Sequence, residues 1–329
     1  LRLAAPYFTS QLYRKQSIIA VTIIFSCADI PSEQWVQAIK KELPDIKIYV
    51  WPETGNTTEV EFLILWGKWP GKFENFPNLK AILSLGAGVD HILSLPHLPD
   101  NLPIVRLADP ALRTGMIEYV LYNVIRFHRQ FYEYENQQRN CEWIELPQVN
   151  PNNRNVGILG LGSLGSACAE HLVKLGFNVL GWGRSEKDIN GVYCLSGNKS
   201  LHSFLSKCHI IVCLLPMTPE TMGILNKENM KLLPQGAFII NAARGAHLVE
   251  EDLLELINSN HIAGAALDVF KAEPLSLSSP LWSNSKITIT PHVAAVANQE
   301  SAAKVLSETI RQISKGATPP KFVDRNTGY

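Results

Sequence analysis

Continuous runs of apolar residues, separated by amphipathic segments, recur along most of the chain. In the first third they cover residues 18–25, 46–50, 62–66, 79–85 and 104–107. Within each run the apolar character is continuous rather than alternating, which is typical of strands that are covered on both faces. The pattern therefore predicts a parallel sheet flanked by helices.

A second series of apolar runs follows residue 155. The predicted strands are residues 156–159, 178–182, 209–215, 237–241, 263–267 and 287–290, again with helical segments between them. Alternating strands and helices predict right-handed crossovers and a ligand crevice at the carboxyl ends of the strands. The expected fold class is α/β, with two Rossmann- or flavodoxin-like doubly wound parallel-sheet domains and a cleft between them.

Two longer segments have apolar residues at helical spacing, residues 115–139 and residues 294–315. We interpret the first as a helix between the domains and the second as a terminal helix that packs back on the first sheet. One domain then comprises residues 18–115 and 293–329, and the other comprises residues 116–292. The segment 108–113 is interpreted as a loop at the hinge.

The first residues stand apart from this pattern. Residues 1–16 contain Arg2, Arg14 and Lys15 but no acidic residue and no clear period. A basic leader of this kind is also typical of a transit peptide. We favour the simpler interpretation that residues 1–17 are a non-native or disordered leader outside the fold.

Composition argues against several classes of protein. Thirty basic and thirty acidic residues give no net charge, so the signature of a nucleic-acid or membrane-surface protein is lacking. No apolar run approaches the roughly 20 residues of a membrane helix. With 46% hydrophobic residues among 329, the chain can bury two cores.

The cysteines indicate the compartment. They are scattered, with no C-x-x-C and no paired-histidine spacing, so we expect neither a disulfide nor a metal site. Reduced thiols suit a cytoplasmic protein. The six lie at positions 27, 141, 168, 194, 208 and 213.

The second series opens with an apolar strand that runs directly into G-x-G-x-x-G. Gly160 permits a tight turn, Gly162 lets backbone N–H groups approach a pyrophosphate, and Gly165 lets the following helix pack closely on the strand. Ser163 and Leu164 complete the loop at the helix N-terminus. A tight turn alone also explains the glycines, but the flanking strand and helix favour dinucleotide binding.

The end of the next predicted strand distinguishes NADP from NAD. NAD enzymes usually carry Asp or Glu about 20 residues after the motif, to bind the ribose 2′-OH. Here Arg184 and Ser185 occupy that position. Arg184 can pair with a 2′-phosphate and Ser185 can donate a hydrogen bond to it. The sequence therefore predicts NADP (NADPH) over NAD, with a solvated Arg184 as the alternative.

Three further strand ends carry a cation, a carboxylate and an imidazole. Arg244, Glu273 and His292 each follow a different predicted strand. Because carboxyl ends of parallel strands meet at one edge of the sheet, these side chains are expected to converge. Each also has a structural explanation when taken alone, as a surface ion pair, a helix-terminal residue and a buried histidine.

These loops, together with the glycine motif and the segment LGAGVD at residues 85–90, resemble the D-2-hydroxyacid dehydrogenase family. The likeness runs from about residue 18 to residue 329 and is strongest for its glyoxylate/hydroxypyruvate reductase A branch. It implies NADPH-dependent reduction of glyoxylate to glycolate and of hydroxypyruvate to D-glycerate, by a homodimer. The alternatives are another 2-keto-acid reductase of the family and a dinucleotide-sensing interaction protein on the same fold.

The chemistry of such a reduction suits the three residues. It needs a hydride, a proton for the forming alkoxide, and positive charge to hold the carboxylate and the carbonyl oxygen. His292 is the candidate proton donor, and Glu273 would fix its tautomer. Arg244 offers a planar fork for the 2-keto acid.

The resemblance implies further contacts with substrate. The loop that contains Ala87, Gly88 and Val89 would present backbone N–H groups to the substrate carboxylate. Trp66 would form a wall of the substrate pocket, although core packing explains it equally well. Trp143 lies in a segment that, in related reductases, reaches the site of the partner subunit.

The remaining residues implied by the resemblance line the cofactor. Asp268 would lie near the nicotinamide carboxamide, with a hydrogen bond inside its own loop as an equal alternative. Leu215 and Pro216 would line the ribose side. Ala242, Arg244 and His292 complete the expected cofactor contacts.

Overall fold

The computed structural model describes residues 21–27, 31–318, 322–325 and 327–328 of the chain. The leader at residues 1–17 and the first three residues of the first predicted strand lie outside these ranges. Within them the chain forms two parallel sheets, of five and seven strands, each flanked by helices. The predicted α/β class is therefore confirmed.

The first sheet contains the five strands that the apolar runs predict. Every neighbouring pair is parallel, and the order is β2-β1-β3-β4-β5, which is flavodoxin-like. The strands are β1 (Thr22–Cys27), β2 (Lys47–Val50), β3 (Val60–Trp66), β4 (Ala81–Ser84) and β5 (Ile104–Val105).

The second sheet has the order β12-β11-β10-β9-β6-β7-β8, and all its pairs are parallel. From β6 the strands are added first toward one edge of the sheet (β7, β8) and then, from β9 onward, toward the other edge. A crevice for a ligand opens where the strand order switches in this way, between β6 and β9. The strands are β6 (Asn155–Leu159), β7 (Asn178–Gly183), β8 (Val192–Ser196), β9 (Ile210–Cys213), β10 (Ala237–Asn241), β11 (Ile262–Leu267) and β12 (Ile287–Ile289).

The helices lie between the strands and cover the sheets. They are α1 (Ser32–Glu42), α2 (Asp90–Leu93), α3 (Pro110–His128), α4 (Phe131–Arg139), α5 (Ser163–Lys174), α6 (Asn198–Leu205), α7 (Lys227–Lys231), α8 (Glu250–Asn258) and α9 (Gln299–Ser314). Among the described residues, none of the helices is long and apolar enough to cross a membrane.

The prediction of one helix over residues 115–139, preceded by a loop, is wrong in two respects. The helix α3 begins already at Pro110, because Asp109 caps it by accepting a hydrogen bond from Ala111 N–H (3.1 Å). It ends at His128, and Gln130, whose φ of 56° is left-handed, separates it from α4. The predicted terminal helix is also shorter than expected, because Asn298 caps α9 at Gln299.

The helix α3 runs from one core to the other. Its Leu112 is buried with the first sheet, whereas Met116, Val120 and Val124 are buried with the second. On α9, the buried side chains Ala302, Leu306 and Ile310 pack against the first sheet, beside α1. The terminal helix therefore returns to the first sheet, as predicted, while the division of the chain at residues 115/116 and 292/293 stays a prediction.

Candidate active site

The turn between β6 and α5 gives each glycine of the motif a distinct environment. Gly160 has a φ of +99°, and a Cβ there would lie 2.7 Å from the carbonyl oxygen of Leu214. A Cβ on Gly165 would collide with the carbonyl of Gly160, so α5 packs directly on the turn. A Cβ on Gly162, in contrast, would meet no atom within 4 Å. The backbone at Gly162 is thus open to a ligand.

The start of α5 presents donors to this opening. The N–H groups of Ser163, Leu164 and Gly165 precede the first intrahelical hydrogen bond, which Ser166 N–H makes to Gly162 O (2.9 Å). Free N–H groups at the positive end of a helix bind anions. This turn and helix start, residues 160–165, form a glycine cradle that fits the pyrophosphate of a dinucleotide.

The other residues predicted to contact the cofactor lie at the ends of the neighbouring strands. Arg184 and Ser185 are exposed and directly follow β7. After β9, Leu215 is buried, and the carbonyl of Pro216 accepts a hydrogen bond from Thr221 Oγ1 (2.7 Å). Ala242 is buried after β10.

His292 and Glu273 form a hydrogen-bonded pair. His292 Nδ1 lies 2.8 Å from one carboxylate oxygen of Glu273, and the other oxygen accepts a hydrogen bond from Phe270 N–H (2.9 Å). Burial alone would raise the pKa of Glu273, but these hydrogen bonds and the nearby Arg244 hold that pKa below its ordinary value. Glu273 is therefore a carboxylate at neutral pH, and it keeps a proton on Nδ1 of the imidazole.

A buried carboxylate holds the loop on which His292 lies. Asp268 accepts hydrogen bonds from Thr290 Oγ1 (2.6 Å), Val293 N–H (2.9 Å) and Ala294 N–H (2.9 Å). The backbone carbonyl of Asp268 also accepts a hydrogen bond from His292 N–H (2.8 Å). His292 itself has a left-handed φ of 56°. Asp268 thus makes the loop hydrogen bonds that the sequence left as one alternative, and its contact with a cofactor stays a prediction.

Arg244 is held by an ion pair that the sequence did not predict. Its Nε lies 3.0 and 3.1 Å from the two carboxylate oxygens of Asp90, its Nη2 lies 2.9 Å from one of them, and its Nη1 donates to Ala243 O (2.8 Å). Burial would raise the pKa of Asp90, but Arg244 holds it below its ordinary value. A guanidinium has five N–H donors. These contacts use three of them and leave one on each terminal nitrogen.

The candidate substrate residues surround this guanidinium. A Cβ on Gly88 would collide with Arg244 Nη2, and a Cβ on Gly86 would collide with the ring of Trp66. The Trp66 ring centroid lies 6.3 Å from that of His292, in an edge-to-face arrangement. The structure therefore brings Trp66, Gly88, Arg244 and His292 together.

The loop before α2 also offers unused backbone donors. Gly86 N–H donates to Ser84 Oγ (3.1 Å), so it is not available to a ligand. No acceptor within the described ranges is found for the N–H groups of Ala87, Gly88 and Val89. Three such groups beside a guanidinium suit a carboxylate.

Two histidines near Arg244 were missed because neither lies in a motif. Burial lowers the pKa of His91 to about 4, and its ring lies edge-on against Trp66 at 4.9 Å. His247 is fully buried, accepts from Arg244 N–H (3.2 Å), and has its Nε2 3.2 Å from Pro216 O. His247 therefore joins the Arg244 loop to the loop predicted to line the cofactor.

A family model for the NAD-binding domain of D-isomer specific 2-hydroxyacid dehydrogenases matches residues 121–294. The chain belongs to this family. The match covers the glycine cradle and the residues Arg244, Glu273 and His292.

Solved structures resemble the whole dehydrogenase. A D-isomer specific 2-hydroxyacid dehydrogenase from Xanthobacter autotrophicus Py2, in complex with NADPH and MES, is 38% identical, and the match covers 94% of this chain and 100% of that one, with a TM-score of 0.91. An NADPH-dependent glyoxylate/hydroxypyruvate reductase from Sinorhizobium meliloti, in complex with NADP and sulfate, is 34% identical over 94% and 100% of the two chains, with a TM-score of 0.89.

A third structure is a probable 2-hydroxyacid dehydrogenase from Rhizobium etli CFN 42, in complex with NADP, HEPES and L(+)-tartaric acid. It is 35% identical to this dehydrogenase over 94% of this chain and 100% of its own, with a TM-score of 0.88. All three relatives therefore match both sheets and not only the cofactor half.

Proposed function

We propose that this dehydrogenase uses NADPH to reduce glyoxylate to glycolate and hydroxypyruvate to D-glycerate. The observation that carries the proposal is the His292–Glu273 pair beside Arg244, which retains two unused N–H donors. The Sinorhizobium meliloti relative, an NADPH-dependent glyoxylate/hydroxypyruvate reductase, supports the choice of substrates.

The cofactor site comprises the glycine cradle and the strand ends beside it. When bound, NADPH supplies the hydride. The open backbone at Gly162 and the N-terminus of α5 suit its pyrophosphate. Arg184 and Ser185 would bind the 2′-phosphate that distinguishes NADPH from NADH, so NAD is less favoured. Further contacts are assigned to Leu215, Pro216, Ala242 and Asp268.

The substrate is held by charge and by backbone donors. The two remaining N–H groups of Arg244 match one carboxylate oxygen and the keto oxygen of a 2-keto acid. The N–H groups of Ala87, Gly88 and Val89, for which no acceptor is found among the described residues, would donate to the carboxylate, and Trp66 would bound the site on the side of His292.

His292 supplies the proton. Because Glu273 binds the proton on Nδ1, the transferable proton lies on Nε2, from which it passes to the forming alkoxide oxygen. His292 is then neutral and keeps its hydrogen bond to Glu273. Arg244 stabilises the negative charge that develops on the oxygen during the reaction.

The test is oxidation of NADPH, followed by absorbance, with glyoxylate, hydroxypyruvate and pyruvate, and with NADH in parallel. We expect rapid NADPH-dependent reduction of the first two acids. In His292→Ala, kcat is expected to fall by about 10²- to 10⁴-fold, the usual contribution of general acid catalysis. Binding of NADPH without turnover of any keto acid would instead favour a dinucleotide-sensing protein.

We also propose that the enzyme is a homodimer. Trp143 is fully exposed and Ile144 is 56% exposed, in the segment after α4. In the single chain Trp143 has no contact with the candidate site. Exposed aromatic and aliphatic side chains that adjoin one another favour a protein interface.

A cytoplasmic location is proposed on composition. The scattered cysteines of the sequence suit a reducing compartment. Fractionation of the source cells with detection of the native protein tests this assignment.

A further inference from the structure

Arg113 is a cation that the site described above does not use. It lies in the second turn of α3, where the chain passes from the first sheet to the second. The start of this helix is held in place, because the buried carboxylate of Asp109 accepts from Ala111 N–H (3.1 Å) and from Asn298 N–H (3.2 Å). A fixed helix start, rather than a loop, therefore positions the Arg113 side chain.

The guanidinium of Arg113 reaches across to the glycine cradle. Its Nη2 donates to Ser163 Oγ (3.2 Å), 50 residues further along the chain. Ser163 is the first residue of α5 and directly follows Gly162, where a Cβ would meet no atom within 4 Å. Arg113 thus lies at the open side of the cradle.

Among the described residues, no acidic side chain pairs with the positive charge of Arg113 at the start of α5. The N-terminus of the 12-residue helix α5 is positive, so it repels a cation placed there. The first turn of α5 has no acidic residue, and among the described residues no carboxylate forms an ion pair with Arg113. Two positive groups that face one opening are stabilised when an anion binds between them.

We propose that Arg113 is a cofactor-binding residue that donates hydrogen bonds to the pyrophosphate of the bound dinucleotide. The proposal rests on the proposed function, which places that pyrophosphate in the cradle. A guanidinium forms charge-assisted, often bidentate, hydrogen bonds with phosphate oxygens. Since NADPH and NADH share the pyrophosphate, Arg113 strengthens the binding of both, whereas Arg184 acts only on the 2′-phosphate of NADPH.

Equilibrium titration of the full chain with NADPH and with NADH, followed by nicotinamide fluorescence, tests the proposal. In Arg113→Gln we expect Kd to rise about tenfold for both cofactors, the loss of roughly one charge-assisted hydrogen bond. Arg113→Lys keeps the charge without the planar fork, so its Kd values are expected to lie between those of the wild type and those of Arg113→Gln. Arg184→Gln is expected to weaken the binding of NADPH and to leave the binding of NADH unchanged.

Lys174→Gln is the matched control, because it removes one positive charge from the exposed opposite end of α5. Its Kd values are expected to equal those of the wild type, and the Tm of each variant confirms that it is folded. A wild type that binds neither dinucleotide would overturn the proposed function and this inference with it. If the wild type binds both and Arg113→Gln binds them equally well, or if Lys174→Gln weakens them as much, only the role of Arg113 is wrong.

Discussion

The orientation of one guanidinium decides how this site can bind a keto acid. The Nε and Nη1 of Arg244 donate hydrogen bonds, its Nη2 makes an ion-pair contact with Asp90, and the carboxylate of Asp90 lies on the Nε side. The pair joins the first residue of α2 to the loop after β10, 154 residues apart. Asp90 therefore orients Arg244, and it would act as a positioning residue for the proposed contact between Arg244 and the substrate.

Asp90→Asn tests this role. An amide keeps the size of the side chain but cannot accept bidentately from Arg244. We expect KM for the keto acid to rise and kcat/KM to fall about tenfold, consistent with loss of roughly 1.4 kcal/mol of transition-state binding. The Kd for NADPH is expected to stay unchanged, which separates misplacement of Arg244 from a general loss of structure. Unaltered kinetics would show that the ion pair is dispensable.

His91 makes the stability of the enzyme depend on pH. Burial lowers its pKa in the folded protein from 6.5 to about 4, so the unfolded chain binds the proton first as the pH falls. The corresponding stability is fully present above pH 6.5 and is lost as the pH falls toward 4. The loss amounts to about 3 kcal/mol at most.

His91→Phe removes this titration while keeping a ring beside Trp66. We expect Tm to fall on going from pH 7.5 to pH 5 in both proteins, but by a few degrees less in the variant. The other buried histidines titrate in both proteins, so their contribution cancels in the comparison. Equal falls in Tm would refute the assignment to His91.

Some site residues could be predicted from the sequence because each directly follows an apolar strand. Arg244 and His292 are of this kind, and parallel strands bring their carboxyl ends together. Asp90 and Arg113 could not be assigned a role, since their partners lie 154 and 50 residues away. Contacts between the two sheets depend on the placement of α2 and α3, which no local pattern encodes.

Among the elements, α3 contributes directly to the position of the loop that carries His292, the proposed proton donor. Its Tyr119 hydroxyl lies 3.1 Å from Thr290 Oγ1, which in turn lies 2.6 Å from the Asp268 carboxylate. Thr290 has a single proton to donate and gives it to Asp268, so it accepts from Tyr119. Burial raises the pKa of Tyr119, which therefore keeps its proton. The chain of hydrogen bonds connects α3 to the His292 loop.

Thr290→Val should break both hydrogen bonds, whereas Tyr119→Phe breaks only the outer one. We expect kcat to fall about tenfold in the first variant and less in the second, because the loop that carries His292 loses a buried hydrogen bond worth roughly 1–3 kcal/mol. The Kd for NADPH serves as the control readout. An equal loss in both variants would mean that Tyr119, rather than the Thr290–Asp268 bond, holds the loop.

Neither β8 nor the end of α3 was predicted from the sequence. The strand β8 is a five-residue edge strand whose apolar run is short and whose Tyr193 is exposed. The break between α3 and α4 is at Gln130, a left-handed residue that is neither Gly nor Pro. In contrast, the Asp109–Pro110 pair is a recognised helix start. The sequence therefore carries a local signal for a helix that begins at Pro110.

At the scale of the whole molecule, side chains of both sheets complete the site. Asp90 and Trp66 come from the first sheet and its loops, and Arg244 and His292 come from the second. The doubly wound parallel α/β class could be predicted from the alternation of strands and helices, but the relative placement of the sheets depends on these cross-contacts. A second copy of the chain would contribute to the site if Trp143 reaches the partner subunit, as proposed.

Substitutions in the segment after α4 test whether a second subunit contributes to the site. If Trp143 only contributes to the dimer interface, Trp143→Ala with Ile144→Ala should convert a particle of twice the 36.6 kDa chain mass toward monomer in light scattering. If Trp143 also reaches the partner's site, the single variant Trp143→Ala should raise KM for hydroxypyruvate while the mass stays dimeric. Trp282→Ala, at another exposed tryptophan, should change neither quantity. A wild type that is monomeric at assay concentration would contradict both roles, because each needs a second subunit against Trp143.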